Sequence, residues 1–185
     1  MAEPHLPEPV LLVVAAFSRH PGALAWGRVR LEESFGPVGL EGAPYPFDQT
    51  AYYEPAMGAG LSKQLLAFRD LISPDRLAAV KLHTNGLEGE LARAGAFPEP
   101  RPLNLDPGYL DLAKLVLATT KDQAHRLYLG AGIYGEVTLH YRAGAFQPWP
   151  WTYADYRLPC VAEFLLSARA YYRRRLAEAK APGNP

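Results

Sequence analysis

Charged and hydroxyl-bearing side chains interrupt an otherwise apolar stretch of the chain between residues 104 and 141. The ionisable members of this stretch include Asp106, Lys114, Lys121, Asp122, His125, Arg126, Glu136 and His140. Because the surrounding segments must be at least half buried, these charges need partners or a chemical purpose. The stretch is therefore where the sequence places a candidate functional site.

One group of side chains in this stretch is suited to binding an anion. Thr119, Thr120 and Lys121 end an apolar run, and two hydroxyls with an ammonium beside a turn can bind phosphate together with backbone amides. Arg126 can bind phosphate or carboxylate through two parallel hydrogen bonds, and Glu136 can orient it. The structural alternatives are a turn capped by Thr120 or Asp122 and a simple ion pair between Arg126 and Glu136.

A second group is suited to acid–base chemistry. His125 is a candidate general base or ligand, and Asp106 is a candidate acid, base or metal ligand. Tyr109, three residues after Asp106, is assigned to the same site as a ligand-binding residue. The alternatives are a core-edge histidine bonded to backbone and an aspartate that caps a turn. Whether the protein is an enzyme stays open at this stage.

Several signatures that would fix a reaction are absent from the sequence. It has no phosphate loop of the form GxxxxGK followed by Ser or Thr, and no GxGxxG, GxSxG, HExxH or paired CxxC motif. The five histidines lack metal-ligand spacing, so we expect no structural zinc and name no cofactor. A weakly held divalent ion at Asp106 or Glu136 is left open.

Composition narrows the class of partner. The 185 residues carry 19 basic and 19 acidic side chains, and a general nucleic-acid binder usually shows a basic excess. The apolar run from Val10 to Phe17 is too short to span a bilayer, and the residues before it are acidic and proline-rich. Cys160 is the only cysteine, which suits a reducing compartment. We therefore expect a cytoplasmic protein without a membrane partner, and we do not expect nucleic acid as its ligand.

The elements that must position these side chains follow from hydrophobic patterning. The order strand, helix, strand, strand, helix, strand over residues 10–105 predicts an α+β fold with a ferredoxin-like β-α-β-β-α-β core. A C-terminal β-hairpin and a C-terminal helix, roughly Cys160 to Lys180, extend this core. We expect residues 1–185 to form a single domain with flexible tails at 1–8 and 181–185. Residues 108–120 read equally well as a helix capped by Asp106-Pro107 or as a strand.

The hairpin permits a prediction of register. Two strands, His125 to Leu129 and Ile133 to Tyr141, flank a Gly-Ala-Gly connection, so residues whose numbers sum to 262 should face each other. Arg126 then opposes Glu136. One face of the hairpin should carry Arg126, Tyr128, Tyr134, Glu136 and Thr138, and the other Leu127, Leu129, Ile133, Val137 and Leu139.

The same stretch resembles a known family. The segments similar to it are LDPGYLDLAKLVLATTKDQAHRLYLGAGIYGEVTLHY, PWTYADYR and, upstream, FGPVGLEGAPYPFDQTAYYEPAMGAGL. They resemble the bacterial family called domain of unknown function 4416 (DUF4416), over about residues 9–158. The resemblance implies no established activity. Within the candidate site the matching positions are Asp106, Tyr109, Lys121, His125, Arg126 and Glu136.

Two functions from different classes are consistent with these residues. The first is binding of a small anionic, phosphorylated or nucleotide-like ligand, with hydrolase or transferase activity as an extension. Lys121 and Arg126 would hold the anion, and His125 or Asp106 would supply acid–base chemistry. The second is a non-catalytic interaction module that contacts a protein, and less readily RNA, through a sheet face carrying Arg126, Tyr128 and Tyr134. A concave pocket around Lys121 would favour the first, and a flat aromatic face the second.

Overall fold

A computed structural model of the protein describes residues 3–180. It contains four α-helices and nine strands within these residues. They are β1 Leu11–Ser18, α1 Pro21–Phe35, β2 Val38–Glu41, β3 Tyr45–Pro46, α2 Glu54–Met57, β4 Ser62–Phe68, α3 Leu77–Arg93, β5 Asn104–Leu110, β6 Lys114–Thr119, β7 Leu127–Gly130, β8 Ile133–Arg142, β9 Ala145–Pro148 and α4 Pro159–Lys180. Short 3₁₀ turns at Pro74–Arg76 and Ala154–Arg157 precede α3 and α4.

The strands form one nine-stranded antiparallel sheet in the order β2-β4-β1-β5-β6-β8-β7. β3 adds to β4, and β9 adds to β8 beside β7. Helices α1 and α3 pack on one face and α4 on the other, so alternate residues of β1 enter two different cores. This arrangement explains the unbroken apolar run of β1 and confirms the α+β class.

The sheet is larger than the predicted four-stranded core with an added hairpin. Residues 104–119 supply two full strands, and the helix that we considered from Gly108, capped by Asp106-Pro107, is wrong. Asn104–Leu110 pairs with β1, and its backbone passes so close to β6 that a Cβ on Gly108 would lie 2.7 Å from Leu117 Cδ2. Four consecutive buried residues, 115–118, give β6 the pattern of a strand covered on both faces.

The predicted hairpin forms, with three differences. Gly130 belongs to β7 and pairs with Ile133 after a register shift, so the predicted three-residue connection is wrong. Tyr128 faces Tyr134 as the sum of 262 requires, but β7 begins at Leu127 and His125 precedes it. A register shift between β6 and β8 separates Val137 from Leu139, so Leu139 packs in the core beneath α4 while Val137 faces α3. The prediction that Val137 and Leu139 share one face of the hairpin is therefore wrong.

The prediction that Leu127 and Leu129 lie on a buried apolar face is also wrong. Leu127 and Leu129 are 76% and 43% exposed, because β7 is the outermost strand. Of the predicted tails, residues 1, 2 and 181–185 lie outside the described residues, and residues 3–8 are exposed without helix or strand. None of the helices within residues 3–180 is long and apolar enough to cross a membrane.

Candidate functional site

The sheet opens between β5 and β6. These strands pair only from Gly108 to Leu110, opposite Leu115 to Leu117. Before that point β5 pairs only with β1, and after it β6 pairs only with β8. Because the two strands lose their common ladder, a cavity of about 420 Å³ forms in the gap.

The cavity is lined from both faces of the sheet. α3 contributes Lys81 and Asn85, the 3₁₀ turn before α4 contributes Asp155 and Tyr156, and β4 contributes Lys63. The loop before α2 adds aromatic and hydroxyl groups, and the segments around β5, β6 and β8 complete the wall. The opening in the sheet thus brings together side chains that the helices and strands would otherwise keep in separate layers.

Two buried ion pairs occupy the inner end of the cavity. Lys63 Nζ donates to Asp155 Oδ2 at 2.6 Å, and both side chains are almost fully buried. The same ammonium lies 4.6 Å from the centre of the Phe47 ring. Lys81 Nζ donates to the Leu105 carbonyl at 3.0 Å and to Asp106 Oδ1 at 3.2 Å. These partners satisfy the two lysines away from bulk water.

All four side chains of these pairs line the cavity, and Asp106 is the most exposed of them, with 29% of its side chain exposed. Burial favours its neutral form, but the ammonium groups of Lys81 and Lys63 outweigh burial and lower the pKa of Asp106 below its ordinary value. The neighbouring Asn104 amide also lowers this pKa. Asp106 is therefore ionised, and its Oδ2 accepts no hydrogen bond from residues 3–180.

Tyrosine hydroxyls supply donors on the same wall. Burial is the main cause that raises the pKa of Tyr53, Tyr153 and Tyr156, so all three stay protonated. Tyr153 Oη accepts a hydrogen bond from Arg126 Nη2 at 2.7 Å, which leaves its own proton to donate. The buried Tyr156 hydroxyl has no partner within the described part of the chain.

The rim of the cavity is cationic. Lys121 is exposed, its Nζ donates to the Tyr52 hydroxyl at 3.0 Å, and it lies 4.3 Å from the centre of that ring. This hydrogen bond lowers the pKa of Tyr52. Within residues 3–180, no carboxylate forms an ion pair with Lys121. Thr119 and Thr120 lie beside it on the same rim.

Arg126 lies behind the wall of the cavity. Its Nε donates to Glu136 Oε2 at 2.7 Å, and its Nη1 donates to the Lys121 carbonyl at 2.9 Å. Together with the bond to Tyr153, each guanidinium nitrogen has a protein acceptor, and the side chain is 3% exposed. Arg126 thus ties the turn that carries Lys121 to the loop that carries Tyr153, and Glu136 orients it.

His125 and Tyr109 also lie outside the cavity wall. The His125 ring stacks on Trp151 with centroids 5.1 Å apart, and its Nε2 lies 3.2 Å from Glu136 Oε2. Tyr109 faces a separate hollow of about 150 Å³ with Lys114. Of the predicted site residues, the cavity wall contains Asp106, Thr119, Thr120, Lys121 and Glu136.

The sequence did not lead us to four charged residues of the wall, namely Lys63, Lys81, Arg101 and Asp155. Two of them carried a detectable signal. Lys63 stands in a short strand whose last four residues are apolar, and Lys81 follows the buried Leu77 by four residues, on the inner stripe of α3. Within residues 3–180, no cluster of three or more His, Cys, Asp or Glu side chains is placed to hold a metal ion.

Comparison with known proteins assigns the chain to a family. The family described as domain of unknown function (DUF4416) matches residues 8–172, and the chain belongs to it. No curated protein and no solved structure matches the chain.

Proposed function

We propose that this protein binds a small anionic, phosphorylated ligand in the cavity between β5 and β6, with the anionic group held at the rim by Lys121. The observation that carries the proposal is a concave cavity whose rim presents an ammonium without a carboxylate partner in residues 3–180. A volume of about 420 Å³ lies within the range of small-molecule sites. The hydroxyls of Thr119 and Thr120 supply further hydrogen bonds to phosphate oxygens.

A hydrolase or transferase reaction, if the ligand is also a substrate, would use Asp106 as its proton acceptor. Asp106 is ionised, faces the cavity and has one oxygen without a donor in residues 3–180. His125 stacks against Trp151 outside the wall, so we assign it a supporting contact to Glu136 instead. A general base must first lie within hydrogen-bonding reach of the substrate, and its pKa is considered after that.

Ligand titration of three proteins tests the binding proposal. The panel contains nucleotides, phosphorylated metabolites and their unphosphorylated counterparts, applied to the wild type, Lys121→Gln and Lys180→Gln. Lys180 is the matched control, because it is exposed and pairs with Glu8, which precedes β1 at the far end of the sheet. A ligand at about 100 times its Kd stabilises the fold by roughly 2.7 kcal/mol, which thermal denaturation detects.

We expect phosphorylated ligands to bind the wild type and the Lys180→Gln variant equally. Loss of one charge-assisted hydrogen bond in Lys121→Gln should weaken binding about tenfold or more, measured by calorimetry. Equal affinity in all three proteins would exclude the rim as the anion site.

The exposed edge strand supports a second candidate function. Leu127, Tyr128 and Leu129 lie on β7 with large exposed fractions, and an extended segment of a protein partner can add to an open sheet edge. The zero net charge favours a protein over RNA as this partner. A ligand panel that stays flat on the folded wild type would favour this function over ligand binding.

We also make two proposals about the fold of one unit and the cellular location of the protein. We propose that Leu11 to Leu110 forms a ferredoxin-like unit, supported by the antiparallel order β2-β4-β1-β5 of its main strands. We also propose a cytoplasmic location, supported by the single cysteine, which suits a reducing compartment.

A further inference from the structure

The inner end of the cavity differs in charge from its rim. Lys63 and Lys81 face Asp155 and Asp106, so the inner group of four side chains is electrically balanced. An anionic group placed there would meet two carboxylates, and a cationic group would meet two ammonium ions. Either would lose its hydration without gaining a net opposite charge. The inner end therefore selects a neutral group.

This neutral group must both donate and accept hydrogen bonds. Asp106 Oδ2 offers an acceptor without a donor in residues 3–180. The Tyr153 hydroxyl accepts a hydrogen bond from Arg126 and keeps its own proton to donate to a ligand in the cavity. A hydroxyl group is the neutral substituent that donates and accepts at a single atom.

We infer that the inner end of the cavity takes a neutral polyhydroxylated group, so that the ligand is a phosphorylated sugar, either free or as the sugar phosphate of a nucleotide. This inference rests on the proposed anion site at Lys121. In the resulting orientation the phosphate lies at the rim and a sugar hydroxyl donates to Asp106. The rings of Phe47 and Tyr53, which also line the cavity, offer an apolar surface to the carbon skeleton.

A matched pair of probes tests the inference on the wild-type chain without any substitution. Ribose 5-phosphate and n-pentyl phosphate have the same number of carbons and the same phosphate, but only the first has hydroxyls. We expect ribose 5-phosphate to bind at least about tenfold more tightly by calorimetry, because hydrogen bonds to a charged acceptor are lost in the alkyl analogue. The affinity for inorganic phosphate measures the contribution of the rim alone. Comparing adenosine monophosphate with ribose 5-phosphate shows whether the site prefers a nucleotide or a free sugar phosphate.

Two variants locate the effect. Asp106→Asn should remove most of the preference for ribose 5-phosphate over n-pentyl phosphate while inorganic phosphate binds as before. Asp75→Asn, at an exposed position in the 3₁₀ turn before α3, should behave as wild type.

The outcomes separate this inference from the proposed function. Equal or tighter binding of n-pentyl phosphate by the wild type would overturn the polyhydroxylated ligand and leave the anion site standing. No binding of any phosphate-bearing probe would overturn both. Tight binding of adenosine monophosphate with no preference for ribose 5-phosphate over n-pentyl phosphate would mean that the base, and not the sugar, is recognised, which also overturns the inference.

Discussion

Asp106 and Lys81 form an ion pair in the cavity wall in which the carboxylate is the more exposed partner. The Lys81 ammonium donates to the Leu105 carbonyl and to Asp106, which fix its position in the wall. Its charge keeps Asp106 ionised at neutral pH. The buried Lys81 thus sets the charge of Asp106, the more exposed partner of the pair.

The lowered pKa of Asp106 predicts a contribution to stability that disappears in acid. A carboxyl whose pKa is lower in the folded chain stabilises the fold fully above its unfolded value, about 3.9, and this contribution is lost as the pH falls through the folded value. We expect the free energy of unfolding of the wild type to decline more steeply below about pH 4 than that of Asp106→Asn. Urea denaturation at a series of pH values measures this difference. Parallel pH profiles would show that Asp106 is not held ionised by its neighbours.

The Lys63–Asp155 pair predicts a non-additive pair of substitutions. Lys63→Met leaves a buried carboxylate without its counter-ion and should cost about 3–5 kcal/mol of unfolding free energy. Removing both charges in Lys63→Met with Asp155→Leu should recover most of this loss. The double-mutant cycle is measured by urea denaturation. Additive losses would mean that the two side chains do not depend on each other.

Among the elements, β5 determines where the cavity forms. Its last three residues pair with β6, whereas its first four pair only with β1. Gly108 stands at the boundary, and its backbone lies against Val116 and Leu117. The close approach of the strands on one side of Gly108 and their separation on the other create the opening in the sheet.

A pair of glycine substitutions tests this close approach. Gly108→Ala would place a methyl group against the Val116 carbonyl and Leu117, and should destabilise the fold by about 1–3 kcal/mol. Gly86→Ala on α3 would meet no atom within 4 Å, and should stabilise the fold by about 0.5–1 kcal/mol because alanine favours a helix. Chemical denaturation compares both with wild type. A neutral Gly108→Ala would contradict the tight junction between β5 and β6.

At the level of the whole molecule, the sequence pattern predicted individual strands and part of one hairpin register. It did not predict which strand lies at the edge of the sheet. The apolar run of β1 and the Tyr128–Tyr134 register followed from sequence, because neighbouring residues determine them. The outer position of β7 did not, because it depends on which strand lies beside it. The register shift at Val137 likewise arises from pairing with β6 and leaves no local signal.

The candidate site shows the same division. Lys121 and Asp106 were predicted from charges in an apolar stretch, and both line the cavity. Lys63 and Asp155 are 92 residues apart in sequence, and only the packing of the 3₁₀ turn before α4 against β4 brings them together. From sequence, Arg126 was predicted to bind the anion. The sequence alone cannot show that each of its guanidinium nitrogens already has a protein acceptor.

Locating a bound ligand by NMR would show whether a phosphorylated compound binds in the cavity. We would record amide ¹H–¹⁵N spectra of the full chain during titration with ribose 5-phosphate. We expect shifts that saturate together at Thr119 to Lys121, Asp106 and Tyr153, with Leu127 to Gly130 unaffected. Shifts confined to Leu127 to Gly130, or the absence of saturable shifts around the cavity, would contradict binding in the cavity.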